Sequence, residues 1–116
     1  MCGIVGYTGN KPAQEIVIES LKKLEYRGYD SSGIALHEGE IVFSKKEGPI
    51  ANLESVLDPS NSRMAIAHTR WATHGVPSDV NSHPHLSNDG KIAVVHNGTI
   101  DNYLDIKSSL VNEGFN

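Results

Sequence analysis

Two stretches constrain the fold of this chain more than any other: Arg63–Arg70 (RMAIAHTR) and Lys91–Asn97 (KIAVVHN). Each is a short, near-continuous apolar run without the alternation of a strand that has one wet face. Runs of this kind read as strands covered on both sides, so they demand structure above and below. Helices are available to supply it. From Ala13 to Leu24, the residues Ala13, Ile16, Val17, Ser20, Leu21 and Leu24 recur at helical spacing, with Gln14, Glu15, Glu19, Lys22 and Lys23 opposite. PIANLESVL predicts a short helix stopped at Asp58–Pro59. DNYLDIKSSLVNEG predicts another, with Tyr103, Ile106, Leu110 and Val111 on one face. CGIVGY reads as a short buried strand, and SGIALH and EIVFSK, around the tight EGE, as a β-hairpin. Strands sandwiched by helices give a layered α+β domain.

With 116 residues the chain suffices for one domain and one core. A hydrophobic share of 38% and a charged share of 21% are those of a folded chain, not a disordered one. A net charge of −4, with Lys45–Lys46 as the longest basic run, argues against nucleic acid as a partner. No apolar stretch approaches the roughly 18 residues of a membrane span, and the N-terminus has no secretory pattern. The one cysteine cannot form an internal disulfide, which points to a reducing cytoplasm. An NGT sequon at Asn97–Thr99 is idle there. There are no repeats and no linker. Between the two apolar runs, WATHGVPSDVNSHPHLSNDG shows no periodicity, and unstructured segments of that length inside a domain are usually functional.

Chemistry could reside in several places. Cys2 stands directly behind Met1, a position where methionine is trimmed when the next residue is small. Trimming would give one residue both a thiol of pKa about 8.5 and an α-amine of pKa about 7.7–8.0. The neutral amine can then take the thiol's proton, so nucleophile and base share a residue. The plainer alternative is a small apolar residue opening a strand. His96–Asn97–Gly98 follows the second apolar run and offers a side-chain amide and a glycine N–H, two donors suited to an oxyanion. Asn-Gly is equally a favoured turn pair. HTRWATHG, at His68–Gly75, contains Arg70, whose planar fork suits a carboxylate, and Thr73 and His74, which add hydrogen-bonding groups. Alternatively, Arg70 pairs with a neighbouring acid and Trp71 packs in the core. RGYDSSG, at Arg27–Gly33, is either a polar turn or a support for the N-terminus through Arg27 and Asp30. Six histidines, His83 and His85 among them, lack the spacing of a metal site, so no metal is expected. GYTGNK lacks the spacing of a phosphate loop.

Taken together and in order, CGIVGY, EYRGYDSSG, HTRWATHG, NSHPH and HNGTIDN resemble the glutaminase domain of the glucosamine-6-phosphate synthase family. These are glutamine–fructose-6-phosphate aminotransferases (isomerizing), class II amidotransferases. The resemblance runs the length of the chain. It implies the N-terminal-nucleophile fold, an αββα four-layer sandwich of two antiparallel sheets between helices. It implies L-glutamine as substrate, no cofactor, and hydrolysis to glutamate and ammonia through a thioester. By motif, Cys2 is the nucleophile and Asn97 and Gly98 form the oxyanion hole. Arg70 binds the glutamine carboxylate, helped by Thr73 and His74, and Trp71 belongs to a loop that closes over it. His83 falls in the substrate-binding set and Arg27 supports the site. In the complete enzyme, a homodimer by expectation, ammonia passes to fructose-6-phosphate in a separate isomerase domain.

The family continues past the last helix into a strand ending TDTE, whose aspartate holds the glutamine α-ammonium. Residues 1–116 therefore read as the N-terminal half of a glutamine amidotransferase type-2 domain, without the isomerase domain. Half a sandwich predicts uncovered apolar faces and poor solubility or dimerisation. The competing expectation is a non-catalytic truncated fragment or assembly module.

Overall fold

The first of the two apolar runs becomes the strand on which the molecule is built. The computed structural model describes residues 2–27, 30–70, 82–98 and 100–115, residue 27 by its backbone. Strands β1 (Gly3–Thr8), β2 (Ser31–His37), β3 (Ile41–Glu47) and β4 (Met64–Arg70) form an antiparallel sheet in the order β1-β4-β2-β3. β4 is thus paired on both sides. Its register runs Gly3↔Thr69↔Ser32 and Val5↔Ala67↔Ile34, and residues directly opposite share a face. Ala65, Ala67 and Thr69 therefore look one way, and Ile66, His68 and Arg70 the other.

The first face carries the core. Helix α1 (Ala13–Leu24) lies across β1 and β4, and α2 (Ile50–Glu54) against β2 and β3. Val17, Leu21, Ile34, Leu53 and Ala67 are all fully buried between them. The small alanines of β4 leave room for α1 to settle close to the sheet. The helix matches its predicted span, but its buried stripe differs: Ile18 is buried, whereas Ile16, Ser20 and Leu24 are only half-buried. Ile18 belongs to the flank of α1 that meets α2 and its tail. On that flank Gln14 Nε2 donates to the Asp58 carbonyl at 2.9 Å, and Lys22 Nζ meets Glu54 at 3.0 Å. Just beyond α1, Glu25 Oε2 accepts the Ile50 N–H at 2.9 Å, satisfying the first turn of α2, which Pro49 cannot cap.

The hairpin of β2 and β3 forms as expected, closed by Glu38–Glu40 with Gly39 at φ +80°. The second apolar run departs from expectation. Only Ala93–Val94 (β6) is extended in a ladder, paired with His85–Leu86 (β5). Ala93 lines one pocket together with Ala35 and Ile66 of the large sheet, while Val94 and Ile92 are exposed. Helix α3 (Tyr103–Asn112) also forms, yet none of its residues is buried, including the predicted face at Tyr103, Ile106, Leu110 and Val111.

The second face of the sheet is approached closely at one point. Gly33, on β2, has no room for a side chain, because a Cβ there would overlap the His83 carbonyl oxygen and lie 2.9 Å from Pro84 Cδ. Gly6, on the same face in β1, has nothing within 4 Å of its Cβ position. Gly33→Ala should therefore lower unfolding free energy by at least about 1–3 kcal/mol in urea titrations, the range for overpacking. Gly6→Ala should be neutral or slightly stabilising, since alanine restrains the unfolded chain. Equal effects at the two positions would contradict this picture of the second face.

Candidate active site

The end of β4 and the beginnings of β1 and β2 meet at one edge of the sheet. The register, carried one residue past Gly3↔Thr69, sets Cys2 beside Arg70, and Ser31 flanks Arg70 on the other side. The Asp30 N–H donates to the Arg70 carbonyl at 3.2 Å, extending that ladder. Arg70 is 8% exposed and Ser31 fully buried, whereas Cys2, a free thiol, is half-buried. A buried arginine thus neighbours a half-buried cysteine across the strand pair.

Asn97 comes to the same place from the far end of the chain. Its Nδ2 donates to the Cys2 carbonyl oxygen at 3.5 Å, a long bond whose importance is positional. Asn97 and Gly98 are both exposed. Gly98 adopts φ +155°, and a Cβ there would press on the His96 imidazole at 3.2 Å.

The segment is held by histidines. The His96 N–H donates to His83 Nδ1 at 3.3 Å. His68 Nε2 lies 3.2 Å from the His96 carbonyl oxygen, so that nitrogen carries the proton and Nδ1 is left buried and bare. The His68 and His83 rings stack, centroids 4.2 Å apart and planes 28° from parallel, with His85 tilted against His83 at 4.4 Å. Burial pulls the His68 pKa down from its ordinary 6.5 to about 4, against the bond to His96, which favours the charged form. Burial likewise lowers His83 to about 3, helped by the neighbouring His68, His85, Arg70 and His96. Both rings are neutral at physiological pH.

Of the residues singled out in the sequence, Cys2, Arg70, His83, Asn97 and Gly98 gather at this edge. Trp71, Thr73, His74 and the side chain of Arg27 lie outside the described residues. Sequence reasoning passed over His68 and His96. The available signal was a histidine inside an apolar run, where it must be either paired or neutral. Among the described residues, no group of three or more His, Cys, Asp or Glu could hold a metal ion. No described helix is long and apolar enough to cross a membrane. A cleft of about 490 Å³ lined by Thr8, His37, Asn61 and Met64 opens at the opposite edge of the sheet and includes none of these residues.

Comparison with known proteins bears on this arrangement. No family model matches the chain. It is 56% identical over 118 residues to the glutamine–fructose-6-phosphate aminotransferase (isomerizing) of Clostridium perfringens, covering 99% of this chain and 19% of that protein. It is 57% identical to the enzyme of the same name from Caldanaerobacter subterraneus subsp. tengcongensis, covering all of this chain and 20% of that one. Among solved structures, it matches the glutamine phosphoribosylpyrophosphate amidotransferase of B. subtilis, with TM-score 0.78 and 30% identity over 98% of this chain and 25% of that one. A structure described as the allosteric regulatory enzyme of purine biosynthesis gives TM-score 0.83 and 30% identity, over 98% and 26%. The chain belongs to the N-terminal-nucleophile glutamine amidotransferases. It spans about a fifth of the length of the curated relatives it matches. The α+β amidotransferase fold anticipated from the sequence is the fold observed.

Two neutral histidines, His68 buried and His83 half-buried, make the stability of this amidotransferase fold depend on pH. Unfolded, His68 and His83 bind protons near pH 6.5; folded, they do so only near 4 and 3. The unfolded state therefore holds more protons across that window, and stability falls as pH drops from about 6.5 towards 3. Each proton contributes a limiting slope of about 1.4 kcal/mol per pH unit. Denaturant unfolding at pH 7, 6 and 5 should show this loss, and the double variant His68→Gln, His83→Asn should flatten it. A slope unchanged in the double variant would assign the loss to other groups.

Proposed function

We propose that these residues supply a glutaminase half-reaction, with Cys2 as nucleophile once Met1 is removed. The observation that carries the reading is the meeting of Cys2 and Asn97, 95 residues apart in sequence, at the end of β1 that neighbours the buried Arg70 of β4. In this reading the free α-amine of Cys2 takes the thiol proton as Sγ attacks the carboxamide carbon of L-glutamine. The developing oxyanion is met by Asn97 Nδ2 and the Gly98 N–H. Collapse of the tetrahedral adduct breaks the C–N bond, the amine returns its proton to the leaving nitrogen, and ammonia departs. Water then cleaves the Cys2 thioester, giving glutamate and the free thiol.

Arg70 is assigned to the substrate α-carboxylate, a pairing its fork geometry favours. Thr73 and His74 assist it, Trp71 belongs to the loop that covers glutamine, and Arg27 supports the N-terminus; these four follow from the family motifs. Residues 1–116 then form the N-terminal part of a type-2 glutamine amidotransferase domain. The relatives' names extend the reading to the full-length protein: ammonia would be transferred to fructose-6-phosphate, bound outside these residues, in a cytoplasmic homodimer.

The test is ammonia release from glutamine by the full-length protein. Cys2→Ala should lower it by at least about a thousandfold, as expected for loss of a nucleophile. Asn97→Ala should lower kcat by about 10²–10³ with a smaller change in KM, as for loss of one oxyanion donor. A lysine inserted between Met1 and Cys2, which blocks trimming, should silence the enzyme while leaving the thiol present. Wild-type hydrolysis in Cys2→Ala would end this assignment.

A further inference from the structure

We propose that His68 and His83 are positioning residues, which clamp the backbone of His96 from two sides and so aim the Asn97 and Gly98 donors at the Cys2 site. The inference rests on the glutaminase reading above and adds to it a pair of side chains that act through the backbone of His96.

The ladder between β5 and β6 ends at Val94, so residues 95–98 leave the sheet without a strand partner in it. What holds His96 is a pair of imidazoles with opposite roles. One accepts from its N–H at 3.3 Å, and the other donates to its carbonyl at 3.2 Å. The carbonyl bond fixes the peptide plane between residues 96 and 97, and hence the Cα of Asn97. The N–H bond fixes the plane before it. Two planes set on either side of one Cα leave little freedom to the residue that follows.

The clamp is itself anchored on the middle of the large sheet. His68 is fully buried on β4. The backbone of His83 rests on β2, where Gly33 alone permits the approach of its carbonyl. Stacking at 4.2 Å ties the two rings together, and His85 closes the outer side of His83. The opposite roles need a bare Nδ1 on His83 and a protonated Nε2 on His68, the neutral forms that burial maintains. Protonation of His83 would turn its acceptor into a donor facing the His96 N–H. The charged and titratable groups around the pair are Arg70, Asp30, His85 and His96.

The test compares deletion with mimicry in the full-length protein. His83→Ala and His68→Ala should each lower kcat for glutamine hydrolysis about a hundredfold, the scale of a misplaced donor, with KM within about threefold. Alkylation of Cys2 by iodoacetamide, which uses no oxyanion donor, should stay within about twofold. His83→Asn places an amide oxygen near the Nδ1 position, and His68→Gln an amide N–H near Nε2, so both should recover to within about fivefold of wild type. Mimics that fall as far as the alanine variants overturn the clamp, as does a loss carried by KM or shared by alkylation. Hydrogen exchange at the His96 amide gives an answer independent of activity. Protection should disappear in His83→Ala and persist in His83→Asn, and equal exchange in the two overturns the proposal. If wild type released no ammonia while exchange followed this pattern, the clamp would stand and the glutaminase reading would fall.

Discussion

The structure depends on β4 being paired along both edges while its two faces serve different ends. One face presents Ala65, Ala67 and Thr69 to the helices, and the other presents Ile66, His68 and Arg70. The first set is small because α1 must lie close enough to exclude water. The second set is polar towards its C-terminal end, because that is where β1 and β2 begin and the site is assembled. A one-residue slip of β4 would exchange the sets, placing a guanidinium under α1 and alanines at the site. Fold and chemistry are thus coupled through a single register.

Placing His68, Ser31 and Arg70 in an interior carries a cost that the architecture limits in specific ways. A buried charge or unpaired polar atom is destabilising by several kcal/mol when nothing compensates it. His68 avoids the charge by staying neutral and gives its one proton to a backbone carbonyl. Its Nδ1 is buried without a partner among the described residues. The residues that organise the site therefore weaken the domain below pH 6.5, whereas the helix face of β4 is indifferent to pH. Stability and site organisation are in tension on one strand, but on opposite faces of it.

The parts of this molecule that were legible in sequence are those whose signal is local. RMAIAHTR reads as a doubly covered strand, AQEIVIESLKKL as an amphipathic helix and the segments around EGE as a hairpin, because period and turn chemistry are written within each. Relations between distant segments were not legible. Nothing near Ile50 reveals that Glu25 caps its helix, and nothing in α1 shows that α2 docks on the flank of Ile18. KIAVVHN has the composition of a long buried strand but finds a partner only at His85–Leu86. The candidate site divides in the same way. Cys2, Arg70 and Asn97–Gly98 were each identifiable from the chemistry they offer and from family motifs. Their convergence is a property of the fold, and the work assigned to His68, though that residue opens HTRWATHG, comes only from a ring reaching one carbonyl.

In the proposed reading Cys2 must be a chain end and yet be held still, and chain ends ordinarily fray. The molecule reconciles these demands by zipping β1 to β4 through six consecutive residue pairs, beginning one residue after Cys2. Gly3, the first of them, sits so close to α1 that a Cβ would lie 3.0 Å from Leu24 Cβ and 3.1 Å from Thr69 Cγ2. The backbone behind the thiol is therefore wedged between helix and central strand, and Asn97 adds a bond from outside at the Cys2 carbonyl. β1 is nevertheless an outer strand of the sheet, with β4 its only neighbour among the described residues. Loosening that one ladder would release Cys2 without dissolving the β4-β2-β3 core. The N-terminal segment is consequently secured by the same strand that carries Arg70 and His68, so a displacement of β4 would move Cys2, Arg70 and the Asn97–Gly98 segment together rather than apart.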